Sequence, residues 1–311
     1  MDHRTLTSAP SILPLYARAA APLIPGASLL PFVPGRGSEV PDVELTLPDV
    51  EPQAARVADY ARVCGFAVRG ALPPTYAHVL AFPLHLALMA DGRFPFGAVG
   101  LVHVENSITV HRPVEIGERL TLRVRPTKVQ PHPKGRTFGI VSEAHVGGEL
   151  VWQGLSTMLR RGGGDGQAPP RDAERSTNGD TGPQGTAAQW RLGGDLGRRY
   201  AAVSGDRNPI HMHALTAKPL GFPRAIAHGM WTKARALAAF DGRLPDAYTV
   251  DVRFRRPILL PGTVGFASAE QGDGFRFAVR DARKDTPHLD GLVTPAPTKQ
   301  SKTTSGRKRA K

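Results

Sequence analysis

The stretch Tyr200-Ala-Ala-Val-Ser-Gly-Asp-Arg-Asn-Pro-Ile-His-Met-His-Ala-Leu-Thr-Ala217 sets a carboxylate, an amide and an imidazole (Asp206, Asn208 and His211) within six residues. Gly205, just ahead of them, permits a backbone angle that other residues avoid, and Pro209 among them fixes its own φ and removes a donor. The segment reads as a rigid loop aimed at one volume, not as a helix that happens to carry polar groups. A carboxylate and an imidazole are the side chains best suited to passing protons near neutral pH.

Working outward, the start of this stretch has a counterpart. Tyr60-Ala-Arg-Val-Cys-Gly65 matches Tyr200-Ala-Ala-Val-Ser-Gly205. Each is followed by a helical pattern and then a near-identical break, Asp91-Gly-Arg-Phe-Pro95 against Asp241-Gly-Arg-Leu-Pro245. A strand-like run ending at Arg112-Pro113 or Arg256-Pro257 comes next, with a turn at Gly117 or Gly262. Period-two alternation comes after it, at Leu120, Leu122 and Val124 in one half and at Phe275, Phe277 and Val279 in the other, which argues strands with one buried face. Met230, Ala234, Leu237 and Ala238 mark one stripe of a helix over about 228–240, and Leu80, Leu84, Leu88 and Met89 mark its equivalent. A mostly apolar helix beside a meandering sheet needs that sheet to curl around it. The expectation is a duplicated α+β architecture.

Boundaries follow from composition. Residues 1–39 are proline-rich and expected to be irregular, 40–160 form the first domain, and 161–189, with no large apolar residue, a flexible linker. Residues 190–285 form the second domain, and 286–311 a disordered basic tail. The first half lacks the polar loop: Phe66-Ala-Val-Arg-Gly-Ala71 stands where the second has Asp206 to His211, and the tyrosine-to-break interval is 31 residues against 41. It should therefore not catalyse but pair with the second half and shape a pocket.

The loop resembles the signature of the MaoC-like hydratases and dehydratases, which include the (R)-specific type 2 enoyl-CoA hydratases. That pattern is an aromatic, an aliphatic, a small residue, Gly-Asp-x-Asn-Pro-aliphatic-His and a later small residue, and every position is met from Tyr200 to Ala217. Gly221-Phe-Pro-Arg-Ala-Ile-Ala-His-Gly-Met230 is similar to the family's entry into its central helix. The resemblance implies tandem hot-dog domains, each a curved antiparallel sheet around a long helix. It implies reversible hydration of trans-2-enoyl thioesters, or dehydration of (3R)-hydroxyacyl thioesters. Asp206 and His211 would be the dyad that binds the water, and Asn208 would orient it. A backbone N–H at Gly229, at the helix start, would meet charge on the thioester oxygen.

Ser204, Lys218, Arg224 and His228 are expected on the substrate side, and the basic group Arg207, Lys218, Arg224, Lys233 and Arg235 suits phosphates of coenzyme A or an acidic acyl carrier protein. No metal or redox cofactor is expected, coenzyme A or phosphopantetheine entering as part of the substrate. A zinc set of His211, His213 and His228 with Asp206 fits less well, because Asn-Pro in the loop and glycine after His228 belong to the hydratase pattern and not to metal geometry. His78 and His85 read as partly buried helix residues. The competing reading is a non-catalytic, acyl-thioester-binding subunit of a partner dehydratase.

The bulk numbers agree. No apolar run approaches the ~20 residues of a membrane span; the best, 77–90, is fourteen long and broken by His78, Pro83 and His85. Prolines at 10, 14, 22 and 25 spoil a secretory signal. The single cysteine, Cys64, excludes an internal disulfide and any multi-cysteine metal site. The net charge of +13 includes six cations and no acid over 298–311. That tail has no aromatic to stack on bases, so nucleic acid is set aside as a partner. The chain reads as a cytoplasmic pseudo-dimer, with further homodimerisation left open.

Overall fold

Alternation becomes strands in both halves. Leu120, Leu122 and Val124 in the first half and Tyr248, Val250 and Val252 in the second are buried with less buried residues between them, whereas Phe275, Phe277 and Val279 do not alternate: Phe275 is half-buried, and Ala278 and Arg280 are buried as well. The computed structural model describes residues 1–20, 39–97, 100–162, 182–183 and 185–296. The N-terminal part runs β1 (Asp2–Thr5), α1 (Ile12–Ala20), β2 (Val43–Val50), α2 (Ala54–Cys64), α3 (Tyr76–Met89), β3 (Leu101–Val110), β4 (Leu120–Pro126), β5 (Gln130–His132), β6 (Gly135–Val146) and β7 (Glu149–Arg161). The C-terminal part runs β8 (Ala188–Leu192), α4 (Leu196–Ser204), α5 (Pro209–Met212), α6 (Ala214–Ala217), α7 (Gly229–Ala238), β9 (Tyr248–Phe254), β10 (Gly262–Gln271), β11 (Gly274–Asp281) and β12 (Pro287–Pro295).

One sheet carries both halves, in the order β1-β2-β4-β6-β7-β3-β9-β12-β11-β10-β8, with β5 paired to β6. The order is a palindrome about the β3–β9 seam: β2, β4, β6, β7 and β3 answer β8, β10, β11, β12 and β9. The two seam strands pair antiparallel from Glu105 opposite Arg253 to Val110 opposite Tyr248. The sheet encloses α3 and α7. Leu84, Leu86 and Leu88 on α3 and Met230, Ala234 and Leu237 on α7 are buried in a core continuous with both halves. Tyr60 and Tyr200, the matched aromatics, are both buried with ring centroids 6.0 Å apart.

Lys233 lies under the seam. Its ammonium donates to the Asn106 carbonyl (3.2 Å), the Asn106 side-chain oxygen (2.6 Å) and the Val250 carbonyl (3.0 Å), tying α7 to a strand of each half. All three N–H donors are satisfied, which a buried cation requires.

Three boundaries change. Residues 1–39 are not all irregular: β1 pairs parallel with β2, and α1 packs on α3. The linker ends before Ala188, where β8 begins, while residues 163–181 and 184 lie outside the described residues. Residues 287–295 are not tail but β12, hydrogen-bonded between β11 and β9, with His288, Leu289 and Val293 buried. Prolines and Gly291 disguise this strand. Both prolines sit at its ends, where a missing N–H is tolerated, and a side chain at Gly291 would collide with the Phe277 ring. The basic residues beyond 296 lie outside the described residues. Among the described residues, no helix is long and apolar enough to cross a membrane.

Candidate active site

The polar loop hangs between two helix ends. Gly205 ends α4 in the left-handed region (φ 78°), its N–H donating to the Ala201 carbonyl at 3.0 Å, which turns the chain sharply into Asp206. The Ser204 hydroxyl then accepts from the Asp206 N–H (3.2 Å), and the Asn208 side chain accepts from the Ile210 N–H (3.4 Å), capping the short turn that carries His211.

His211 Nδ1 lies 2.8 Å from the Ile226 carbonyl. A carbonyl only accepts, so Nδ1 carries the proton and Nε2 presents a lone pair. By the same logic His228 donates from Nε2 to the Asp206 carbonyl at 3.0 Å, leaving its buried Nδ1 without a partner. The two imidazoles stack at 3.6 Å between centroids and 24° between planes, and Tyr200 flanks His228 at 4.8 Å. One polar atom each from Asp206, His211 and His228 fall within 4.8 Å of one another.

The Asp206 carboxylate is held both from its own loop and from α1. Its Oδ1 accepts from the Tyr16 hydroxyl of α1 (2.8 Å) and from the Asn208 N–H (3.1 Å), while Oδ2 faces His228 Nε2 at 3.8 Å. Burial pushes this carboxyl up, yet the imidazoles, the Tyr16 hydroxyl and the Asn208 N–H together hold it below the ordinary carboxylate range. Burial drives His228 down to about 3 and His211 also below its usual value. Burial thus keeps both rings neutral at pH 7, while Tyr16 and the Asn208 N–H add hydrogen bonds that favour the ionised form of Asp206.

The site opens into a cavity of about 430 Å³ that crosses the seam. Asp206, Asn208, His211, His228 and Gly229 line it from the C-terminal half. Buried Met89, Leu101, Ile140 and Leu159 line it from the N-terminal half. Lys134, Arg161, Arg253, Arg255 and Arg256, all exposed, add basic groups to its lining, Arg253 being paired with Glu105 (3.3 Å) and Arg255 with Asp290 (2.6 Å). His78 and His85, expected to be ordinary helix residues, line the cavity with His103; burial lowers His78 to about 4 and His103 to about 3, so they are neutral walls.

Several expected contacts fall elsewhere. Ser204 serves the loop's own backbone and does not line the cavity. Lys218 is exposed on a turn, and exposed Arg224 donates to the Pro261 carbonyl (3.2 Å); neither lines it. Lys233 is spent on the seam, and Arg235 stacks on Trp190 at 4.8 Å. The basic residues at the cavity come instead from β7, β9 and the loops, far from the motif in sequence. Exposed His213 takes no part. As a metal set, Asp206, His211 and His228 fit poorly: the free nitrogens belong to stacked rings, and in-plane lone pairs of stacked rings run alongside each other instead of meeting at one point ~2 Å away. Tyr16 escaped sequence reading, because nothing in a proline-rich segment 190 residues upstream signals it.

Comparison with known proteins gives consistent matches. Residues 185–290 match the family described as MaoC like domain, and 50–147 the FAS1-like dehydratase domain region. The chain is 37% identical over 288 residues to 3-hydroxyacyl-thioester dehydratase X of Mycobacterium tuberculosis, covering 91% of this chain and 98% of that protein. The crystal structure of HtdX from that organism superposes with a TM-score of 0.72 at 36% identity, over 81% of this chain and all (100%) of the other. A MaoC-like dehydratase from Phytophthora capsici shares the fold at 20% identity and a TM-score of 0.66, over 83% of this chain and 97% of that one.

Proposed function

The chain belongs to the MaoC-like dehydratases, and from that premise we propose that its C-terminal loop carries out 3-hydroxyacyl-thioester dehydration, reversibly the hydration of a trans-2-enoyl thioester. One observation carries the reading: Asp206 and His211 point into a single cavity with the helix start at Gly229 on its wall. The neutral tautomer of His211 assigns the protons. In hydration, a water lies between Asp206 Oδ2 and His211 Nε2. Its oxygen bonds to the β-carbon while one proton passes to Asp206 and on to the α-carbon. The second proton stays on the new hydroxyl, held by the His211 lone pair. Dehydration is the reverse, Asp206 taking the α-proton and returning it to the departing hydroxyl. Charge on the thioester oxygen meets the Gly229 N–H, one of the donors a helix leaves without an intrahelical acceptor. These side chains suffice for the proton chemistry, and the mechanism calls on no metal.

Apolar residues of both halves, Met89, Leu101 and Ile140 from the first and Ile226, Met230 and Ile258 from the second, line the cavity for the acyl chain. The exposed basic residues of the lining suit the phosphates of coenzyme A or of a carrier-bound phosphopantetheine. The test is Asp206→Asn and His211→Ala, assayed with crotonyl-CoA and longer enoyl-CoAs. General acid–base groups contribute about 10²–10⁴-fold, and losses of that order are expected in each variant. Wild-type turnover in either variant would remove the dyad. Activity that needs a second protein would favour the subunit reading.

A further inference from the structure

Tyr16 belongs to neither repeat, yet its hydroxyl makes two contacts inside the loop. It donates to Asp206 Oδ1 (2.8 Å) and accepts from the Arg207 N–H (2.8 Å). One oxygen thereby spans the carboxylate and the backbone beside it. The helix that carries Tyr16 is seated, not draped: Ile12, Leu15 and Tyr16 pack on the core, and the Ile12 Cδ1 lies 2.6 Å from where a Gly205 Cβ would stand. The carboxylate's other oxygen, Oδ2, stays on the imidazole side.

We propose that Tyr16 is a positioning residue: it fixes the rotation of the Asp206 carboxylate so that Oδ1 is occupied and Oδ2 is presented to the reacting water. The N-terminal helix is then a third component of the active site, alongside the two repeats. This rests on Asp206 being the group that carries the proton in dehydration.

The physical argument is one of competition. A carboxylate with both oxygens free rotates and shares incoming protons between them, whereas one whose Oδ1 already accepts two hydrogen bonds offers only Oδ2. The same bond favours the ionised form. Around Asp206 the other titratable groups are His211 on α5, His228 at the start of α7, His78 on α3, His103 on β3 and Tyr200 on α4. Arg207 stands next to it in the loop. None of these is altered by removing one phenolic oxygen, so any change in Asp206 titration reports on Tyr16.

The experiment compares the full-length chain with Tyr16→Phe, which keeps the ring and its packing. The Asp206 carboxyl is titrated by carbon NMR, with Asp206→Asn to assign its resonance, and kcat and KM are measured against pH on an enoyl-CoA. The expected result is that the carboxyl titrates at higher pH in Tyr16→Phe and that the acid limb of kcat/KM moves up with it. At the same time kcat falls roughly tenfold, about what the loss of one hydrogen bond to a charged group costs, with KM little changed. An unchanged titration overturns the proposal, even if the melting temperature drops, because packing alone would explain the drop. If the titration shifts while the wild-type chain hydrates nothing, Tyr16 still positions Asp206 and it is the dehydratase reading that fails.

Discussion

Ile226 and Ala71 hold the same place in their repeats. Ile226 bridges Leu259 and Ala71 bridges Glu115, each partner standing two residues beyond an Arg-Pro pair. The residues after them differ. Ile226 leads into Ala227, His228 and Gly229, whereas Ala71 leads into Leu72, Pro73 and Pro74. Counted from the bridge, Pro74, which has no N–H, stands where the second repeat has Gly229, and α3 begins two residues later at Tyr76, whose N–H is taken by the Pro73 carbonyl (2.8 Å). The first repeat also runs from Gly65 to Ala71 in six residues where the second takes 21 from Gly205 to Ile226, so the segment bearing Asp206 and His211 has no room. Yet Gly65 caps α2 at φ 85° just as Gly205 caps α4 at 78°, and the strands keep their palindromic order. The fold depends on the caps and the sheet, and the chemistry on one loop and one N–H.

Copying the first repeat into the second gives the largest expected effect. Gly229→Pro should cost about 10²–10³ in kcat, the usual worth of one such donor, with little loss of fold. Proline is favoured at the first position of a helix, and His228 (φ −66°, ψ 137°) already has the extended conformation required before it. Gly229→Ala is the control, since its Cβ meets the Phe254 ring at 3.0 Å as a proline's would but the N–H remains. Equal losses in both variants would mean that crowding, not the donor, distinguishes the repeats.

How much of this was legible depends on range. The Asp206 to His211 loop could be read because its residues are neighbours, and the duplication because its landmarks recur in order. Tyr16, the basic residues Lys134 and Arg253, and the histidines His78 and His103 could not, since tertiary packing brings them to the loop: α1 on α3 for Tyr16, and the β3–β9 seam for His103 and Arg253. β12 was hidden by Gly291, which the Phe277 ring requires, and by two prolines tolerated at its ends.

The histidines sharpen the comparison through stability. His103, from the first repeat, shares with His228 a buried ring nitrogen that has no partner, and it packs on Phe254 at 5.0 Å. Folded, His103 stays neutral down to about 3; unfolded, it takes a proton near 6.5. Below pH 6.5 the unfolded chain therefore binds more protons, and stability falls as pH falls. Between pH 7 and 5 this one group removes about 2 kcal/mol. His103→Phe should flatten the drop by that amount in denaturant titrations at the two pH values. Asp206 does not mask it: a carboxyl held below its unfolded value gives up its contribution only near pH 4 and under. An unchanged slope would mean that His103 takes up its proton in the folded chain.

A smaller effect is expected from Tyr60→Phe. The hydroxyl donates to Thr75 Oγ1 at 2.8 Å in a fully buried setting, fixing the start of α3. Removing it should cost about 1 kcal/mol in chemical denaturation and leave kcat within twofold, because its one link to the active site is a hydrogen bond to Tyr200, which only flanks His228. A fall in kcat beyond twofold would show that the silent repeat's helix start tunes the active one.

The smallest effect tests the vacated site itself. Where the first repeat lacks its loop there is a cavity of about 200 Å³ bordered by Phe66, Leu72, Pro74 and Trp152, with Arg69 and Asp241 paired at its edge at 3.3 Å. Arg69 is more than half exposed, so the pair is screened and worth under about 1 kcal/mol. Arg69→Ala should therefore shift the melting midpoint by a degree or two at most, fading further at high salt, and leave hydration rates as in the wild type. A change in turnover would overturn the division of labour at its weakest point, because Asp241 also accepts from the Ala67 N–H at 3.1 Å and sits at the end of α7. Loosening that contact would then be felt through the helix whose other end holds Gly229.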